Sequence, residues 1–280
     1  MALLRQAVLA LAVLDDVDVA PRDDGVDFAS GGHLSWPDVA CALGPWSAQP
    51  AHPVARRRLR VASEVVGILA VGGPEALLET CHAHGEPEGA VMSGRTAWVR
   101  EVVPGGSLVL GLGVSDLGRV VGPHPLPPLP SLQLVLGPRL DARWQEQRLD
   151  LERLGGLVVT RLARDCAEGR HQVLRPTGRA DVVTLLGSRR LRTHLAEGDG
   201  TGMRAVAVPV RDRGWFDLAR IDPAYVGAAY SATATLGRAF DRPLLVTADA
   251  VGTPVASGDV LAGVLADPAG TTSDRQLRHS

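Results

Sequence analysis

Lysine is absent from this sequence of 280 residues, so all 29 basic side chains are arginines. Asparagine is absent as well. Without lysine, the chain cannot build a Walker A phosphate clamp, a kinase strand lysine, a pyridoxal Schiff base or a Ser-Lys dyad. Without asparagine, it has no N-glycosylation site and no Cys-His-Asn protease triad. These absences exclude classes of enzyme without naming an activity.

Cysteine is scarce, and the basic excess that is typical of nucleic-acid-binding proteins is missing. Cys41, Cys81 and Cys166 show no CxxC spacing, which argues against a disulfide framework and a multi-cysteine zinc site and fits a reducing cytoplasm. The formal net charge is −2 and the isoelectric point is about 6.4. We therefore do not expect a nucleic-acid partner.

Long hydrophobic runs are also lacking. The apolar stretch that follows Arg5 and ends at Leu14 resembles a short signal peptide, but Asp15 and Asp16 follow at once. We expect a buried N-terminal helix there, and no other segment reaches the length of a membrane span. The sequence therefore predicts a soluble, cytoplasmic protein with no transmembrane segment.

The pattern of apolar residues predicts an α+β fold in which helices predominate. Its strongest signal is a long amphipathic helix at about 140–165, where Leu140, Trp144, Leu151, Leu154, Val158 and Leu162 share one face. A proline-rich stretch at 122–131 reads as a linker. We expect a helix-rich domain at 1–121, an α+β domain at 132–266 and a disordered tail at 267–280. The alternative is one interlocked domain at 1–266, with the proline-rich segment as a surface strap.

Local signals place several further elements. The expected helices are Ser35–Gly44 with Ser35 as N-cap, Val54–Val71, Pro74–His84, Trp98–Val103, Ser188–Glu197 and, broken at Pro223, Arg213–Ala229. The expected strands are Val26–Phe28, Ser107–Val114, Leu132–Leu136, Arg204–Val210 and Leu244–Ala248.

Motifs that could hold a cofactor or a metal ion are fragmentary. Gly111-Leu-Gly113 lacks the third glycine of a dinucleotide loop, and Gly198–Gly202 precedes a strand, whereas phosphate loops precede a helix. Cys81-His82-Ala-His84 supplies only part of a zinc ligand set, and a partly buried cysteine beside surface histidines explains it better. The sequence predicts no catalytic residue set, no metal site and no cofactor.

The densest group of polar and aromatic residues lies in the C-terminal half. The candidate binding residues are Arg211, Arg213, Trp215, Asp217, Arg220, Asp222 and Tyr225. Arg213, Asp217 and Arg220 have helical spacing, arginine forks suit carboxylates and phosphates, and the aromatic rings could stack on a partner. The alternative is a structural salt-bridge network that clamps a loop beneath Trp215 and Phe216.

The same stretch carries a family resemblance. The segment RGWFDLARIDPAY at 213–225, with RPLLVTAD at 242–249, resembles a C-terminal signature of uncharacterised actinobacterial proteins of high-G+C genomes. This resemblance implies a source lineage and no activity.

Three functional hypotheses follow. The leading one is a non-catalytic intracellular protein that binds a partner protein or a small anionic ligand through the arginine-rich C-terminal surface. The first alternative is an enzyme with a site assembled from scattered groups, with Asp217, Asp222, His171 and His194 as nominal acid–base residues. The second is a DNA-binding regulator, since Ser35–Gly44 resembles the first helix of helix-turn-helix domains and Arg56–Arg60 is basic. Nothing in the sequence specifies an oligomeric state.

Overall fold

The computed structural model describes residues 1–88, 99–115, 122–170, 173–198, 200–216, 218, 223–232 and 239–254. The helices are Ala2–Asp15 (α1), Trp36–Leu43 (α2), Pro53–Thr80 (α3), Pro130–Ala167 (α4), Val182–Leu185 (α5), Arg189–Glu197 (α6) and Pro223–Ala232 (α7), with a 3-10 helix at Gly44–Ala48. The strands are Val19–Pro21 (β1), Gly25–Phe28 (β2), His33–Ser35 (β3), Cys81–Pro87 (β4), Val99–Val102 (β5), Leu108–Val114 (β6), His124–Pro125 (β7), Val173–Leu174 (β8), Met203–Val210 (β9), Arg213–Trp215 (β10), Leu244–Thr247 (β11) and Val251–Gly252 (β12). The predicted α+β class is confirmed.

The strands form three antiparallel sheets. The first has the order β1-β2-β3, the second has the order β4-β6-β5 with β7 also paired to β6, and the third has the order β12-β11-β9-β10-β8. One hydrophobic core joins the helices to these sheets. It includes Leu11 of α1, Leu59 of α3, Leu110 of β6, Leu140 of α4 and Val206 of β9.

Helix α2 shows how a local signal sets an element boundary. The hydroxyl of Ser35 accepts a hydrogen bond from the backbone N–H of Asp38, and the Asp38 carboxylate accepts one from the N–H of Ser35. This capping box satisfies amides that the first helical turn leaves unpaired. The other Asp38 oxygen accepts from the N–H of Ser131 in α4, so the same carboxylate joins two helices.

Helix α4 is longer than expected, and the prediction of a strand at Leu132–Leu136 is wrong. Pro130 occupies the first turn, where its missing N–H costs nothing. Leu132, Leu136 and Leu140 continue the buried face that Trp144 belongs to, while Leu134 is 87% exposed. Because these apolar residues recur every four positions, the helical period extends through the whole segment.

The predicted helix Pro74–His84 is wrong after Thr80, and the predicted helix Trp98–Val103 is wrong over 99–102; Trp98 lies outside the described residues. Helix α3 bends at Gly73, whose φ is 70°, and it ends at Thr80, after which β4 begins. Residues 99–102 form β5, and both strands pair with β6. Pairing with a distant strand has overridden the local helical signal in both places.

The predicted linker contains regular structure. Within 122–131, β7 pairs with β6, and α4 begins at Pro130. The division into two domains and the alternative of one interlocked domain both stay predictions. The predicted tail at 267–280 lies outside the described residues.

Helix α3 is long and apolar enough to cross a membrane, although the sequence analysis had found no such segment. Among the described residues, it is the one helix that meets this test of length and composition. Leu59, Val65 and Leu77 are fully buried, and α3 contacts α1, α2 and α4. These contacts place one face of α3 in the hydrophobic core, and 39% of its apolar window is buried.

Candidate functional site

The structure separates the candidate binding residues into two environments. Arg211 follows β9 and is partly buried, whereas Arg213 and Trp215 lie on β10 and Tyr225 lies on α7. The remaining candidates, Asp217, Arg220 and Asp222, lie outside the described residues.

The helical spacing expected from Arg213 onwards is wrong at its start, because 213–215 is a strand. Gly214 is buried, and a Cβ at this position would lie 3.1 Å from side-chain atoms of both Val182 and Val208. Since neighbouring side chains of a strand point to opposite faces, Arg213 and Trp215 share the outer face. Arg213 is exposed and Trp215 is half-buried.

Tyr225 extends this outer face. Its ring meets the Trp215 indole edge to face, with the two centroids 5.9 Å apart, and the Tyr225 side chain is 54% exposed. We refer to Arg213, Trp215 and Tyr225 as the aromatic–arginine patch. It presents one guanidinium beside two aromatic rings on the surface, a combination that is common at binding interfaces.

Arg211 lies in a partly buried ionic cluster that joins two sheets. Its Nε lies 2.5 Å from Oδ2 of Asp181, and its Nη1 lies 3.1 Å from Oε2 of Glu86. The other oxygen of Glu86 lies 2.7 Å from Nε2 of His84, which is buried. Arg211 also donates to the backbone carbonyl of Gly85.

The charges in this cluster stabilise one another. Burial alone would raise the pKa of Glu86, but Arg211 and then His84 outweigh it and lower that pKa to about 2. Burial disfavours the charged form of Arg211, yet Glu86 and Asp181 raise the pKa of its guanidinium. Each partner therefore keeps the other ionised at this partly buried site.

Arg211 and Thr184 also cover the backbone of a strand edge. Strand β4 ends the order β4-β6-β5, so no described strand of that sheet pairs with its second edge. There, Thr184 accepts from the N–H of Gly85 through its hydroxyl, and Arg211 donates to the carbonyl of the same glycine. Arg211 thus fits the alternative interpretation, a structural ion-pair network.

The partners of Arg211 were not among the predicted site residues. His82 and His84 were expected at the surface on a helix end, but both are buried in β4. The signal that was overlooked is the alternation His82, His84, Glu86, which has the two-residue period of a strand. Asp181 is the N-cap of α5, and its Oδ1 accepts from the N–H of Thr184.

The basic segment of the DNA-binding alternative is engaged within the protein. Arg56 lies 2.7 Å from the carboxylate of Asp15, and Arg60 donates to the carbonyl of the same residue. Nη2 of Arg57 lies 3.3 Å from Nε2 of His124. These contacts direct the guanidinium groups towards neighbouring elements, which weighs against a free recognition surface.

The nominal enzymatic residues are not brought together in the described part. His194 lies on α6, whereas Asp217, Asp222 and His171 lie outside the described residues. In the described ranges, no group of three or more His, Cys, Asp or Glu side chains is arranged to hold a metal ion.

Comparison of the chain with protein-family models found no match, and comparisons with curated proteins and with solved structures found none either.

Proposed function

We propose that the protein is a non-catalytic, cytoplasmic binding protein whose aromatic–arginine patch takes an anionic group of a partner protein. The observation that carries this proposal is the shared outer face of β10. Arg213 and Trp215 are two residues apart on that face, and Tyr225 lies against the indole. A guanidinium binds carboxylate or phosphate through two parallel hydrogen bonds, while the rings bury apolar area around the ion pair.

The second candidate is a small anionic ligand at the same patch. The guanidinium fork would bind such a molecule with the same geometry, and an indole face could stack on a planar group. The two candidates differ in contact area, since a protein partner covers residues around the patch and a small ligand does not.

An array of peptides that contain Asp, Glu or phosphoserine tests both candidates together with a thermal-shift screen of small carboxylates and phosphates. We expect wild-type protein to bind a subset of the peptides and to lose this binding in Arg213→Ala. The control is Arg242→Ala, which removes an exposed arginine of the same half whose carboxylate partner, among the described residues, is the adjacent Asp241. Equal binding by wild type and both variants would overturn the proposal, and a shift with small anions alone would favour the second candidate.

A further inference from the structure

The arginines near the start of α3 have two different environments. Arg56 and Arg60 both contact Asp15, the last residue of α1. Arg57 and Arg58 extend towards other neighbours. The negative charge of Asp15 therefore serves the first pair of guanidinium groups and not the second.

Arg57 and Arg58 lie beside the ionic cluster around Arg211. Both interact with the charge of Glu86 in that cluster, and Arg57 is also repelled by Arg211. Nη2 of Arg57 lies 3.3 Å from Nε2 of His124. The two guanidinium groups thus approach the same carboxylate, although neighbouring residues of a helix project about 100° apart.

Neither of these guanidinium groups forms a salt bridge with a carboxylate of the described part of the chain. Glu86 places one oxygen on Arg211 and the other on His84, so it attracts Arg57 and Arg58 only from beyond salt-bridge range. Among the residues that the structure describes, the side chain of Arg58 has no hydrogen-bond partner either. Two positive charges therefore stand side by side without a bound anion.

Partial burial makes these charges costly. Burial is the largest influence on both groups, and it lowers the pKa of Arg57 and of Arg58 against the opposing attraction of Glu86. Arg57 is exposed and Arg58 is half-buried, so a small solute can reach both from the solvent. An anion at this position replaces lost hydration with charge-assisted hydrogen bonds, which are roughly twice as strong as neutral ones.

The arrangement favours a tetrahedral anion that carries two negative charges. A planar carboxylate presents two oxygens in one direction, and a single guanidinium fork satisfies it. A phosphate monoester presents three oxygens in different directions and carries a charge of about −1.5 to −2 at pH 7. It can therefore accept hydrogen bonds from Arg57 and from Arg58 and match their combined charge.

We propose that Arg57 and Arg58 bind the phosphate group of a small phosphate monoester beside Glu86. The phosphate oxygens accept from both guanidinium groups, and Arg211 contributes a third positive charge nearby. The ester substituent points to solvent, so the site selects the phosphate and not the rest of the molecule. The site shares no residue with the aromatic–arginine patch, so this proposal and the proposed function can fail independently.

Ligand-detected NMR at pH 7.5 and constant ionic strength tests the proposal through three probes: methyl phosphate, dimethyl phosphate and acetate. Methyl phosphate is tetrahedral with two charges, dimethyl phosphate is tetrahedral with one charge, and acetate is planar with one charge. We expect saturable binding of methyl phosphate that is at least about tenfold tighter than that of either other probe. Equal affinity for all three, or saturable binding of none, would overturn the proposal. Tighter binding of dimethyl phosphate would also overturn it and would favour the DNA-binding alternative, since the DNA backbone is a phosphodiester.

Single variants locate the binding. Arg58→Gln removes a side chain that has no hydrogen bond or salt bridge within the described ranges, so the fold is retained. We expect its affinity for methyl phosphate to fall at least about fivefold, and we expect a similar loss in Arg57→Gln. Arg190→Gln is the matched control, because Arg190 is exposed and also forms no salt bridge with a described carboxylate. If Arg58→Gln and Arg190→Gln bind methyl phosphate alike, the assignment of the site is wrong.

Arg213→Ala separates this site from the aromatic–arginine patch. We expect this variant to bind methyl phosphate as tightly as wild type, whether or not it loses the acidic peptides. Loss of methyl phosphate binding in Arg213→Ala, with binding retained in Arg58→Gln, would assign the phosphate to the patch and overturn the proposal.

Discussion

Replacing Glu86 with glutamine removes a partly buried charge that interacts with two neighbouring side chains. Oε2 of Glu86 lies 3.1 Å from Arg211, and Oε1 lies 2.7 Å from His84. The glutamine side chain has the same size and keeps one oxygen acceptor, so the packing is conserved. Arg211 retains Asp181 as its remaining carboxylate partner. The variant therefore tests the charge of Glu86 and leaves the shape of the cluster unchanged.

The pKa of Glu86 gives the expected magnitude. Arg211 and His84 lower it from the usual 4.5 to about 2, against burial. At about 1.4 kcal/mol per pH unit, this corresponds to roughly 3 kcal/mol of unfolding free energy at pH 7. Because the folded-state pKa is depressed, the contribution is complete above about pH 5 and is lost as the pH falls towards about 2. At pH 3.5 about 2 kcal/mol should remain.

Urea denaturation followed by circular dichroism at pH 7 and pH 3.5 measures this difference. Glu101→Gln is the control, because Glu101 also meets an arginine through two hydrogen bonds, but that arginine, Arg148, is 51% exposed, whereas Arg211 is 22% exposed. We expect the control to cost less than about 1 kcal/mol. The reasoning is refuted if Glu86→Gln costs no more than the control, or if its cost is the same at both pH values.

Three further predictions concern packing and accessibility. Gly155→Ala should destabilise the protein by about 2 kcal/mol or more in urea denaturation, since the new methyl group would lie 2.0 Å from the Ser188 hydroxyl that caps α6. The control is Gly156→Ala, whose methyl group would lie 3.3 Å from the end of the flexible Arg190 side chain, and this variant should be neutral or stabilising by up to about 1 kcal/mol. Asp38→Ala should cost about 2 kcal/mol or more, because the N–H and hydroxyl of Ser35 and the N–H of Ser131 lose their acceptor. An unchanged denaturation midpoint would contradict this. Iodoacetamide at pH 8 should label Cys41 and Cys166, which are exposed, in the native protein and all three cysteines in urea. Cys81 should be protected in the native protein because it is buried and burial raises its pKa to about 12. Mass spectrometry counts the labels.

Elements with their own boundary signals were predictable from the sequence. Ser35 and Ser188 cap α2 and α6 as expected, and the apolar period of α4 holds over its whole length. Strand β6 and strand β9 were also placed correctly, because each is apolar and bounded by turn residues. In all these cases, the information lies within about one helical turn or one strand of the boundary.

The elements that were misplaced depend on distant partners. β4 and β5 become strands by pairing with β6, and β10 becomes one between β8 and β9. The environment of Arg211 was hidden for the same reason, since Glu86 lies 125 positions earlier in the chain (211 minus 86). Arg213, Trp215 and Tyr225 were found because all three stand within one short polar and aromatic stretch.

Helix α4 makes polar contacts with other elements at its first turn, at its middle and at Glu152. Asp38 binds its first turn, Arg143 and Arg148 reach β4 and β5 from its middle, and Glu152 accepts from the hydroxyl of Ser188 and from the first amides of α6. These contacts tie the two halves of the chain to one rod about 57 Å long, at 1.5 Å per residue.

The covered edge of β4 also affects the tendency of the protein to aggregate. An open strand edge is a template on which another chain can add a strand, and such addition leads to aggregation. At this edge, the N–H and C=O of Gly85 are already hydrogen-bonded to Thr184 and Arg211, and the C=O of Cys81 accepts from Arg143. Thr184 and Arg211 reach this edge from outside the sheet that contains β4. Removing these contacts would expose a strand edge that can pair with another chain, so resistance to aggregation depends in part on side chains that contribute little to the apolar core.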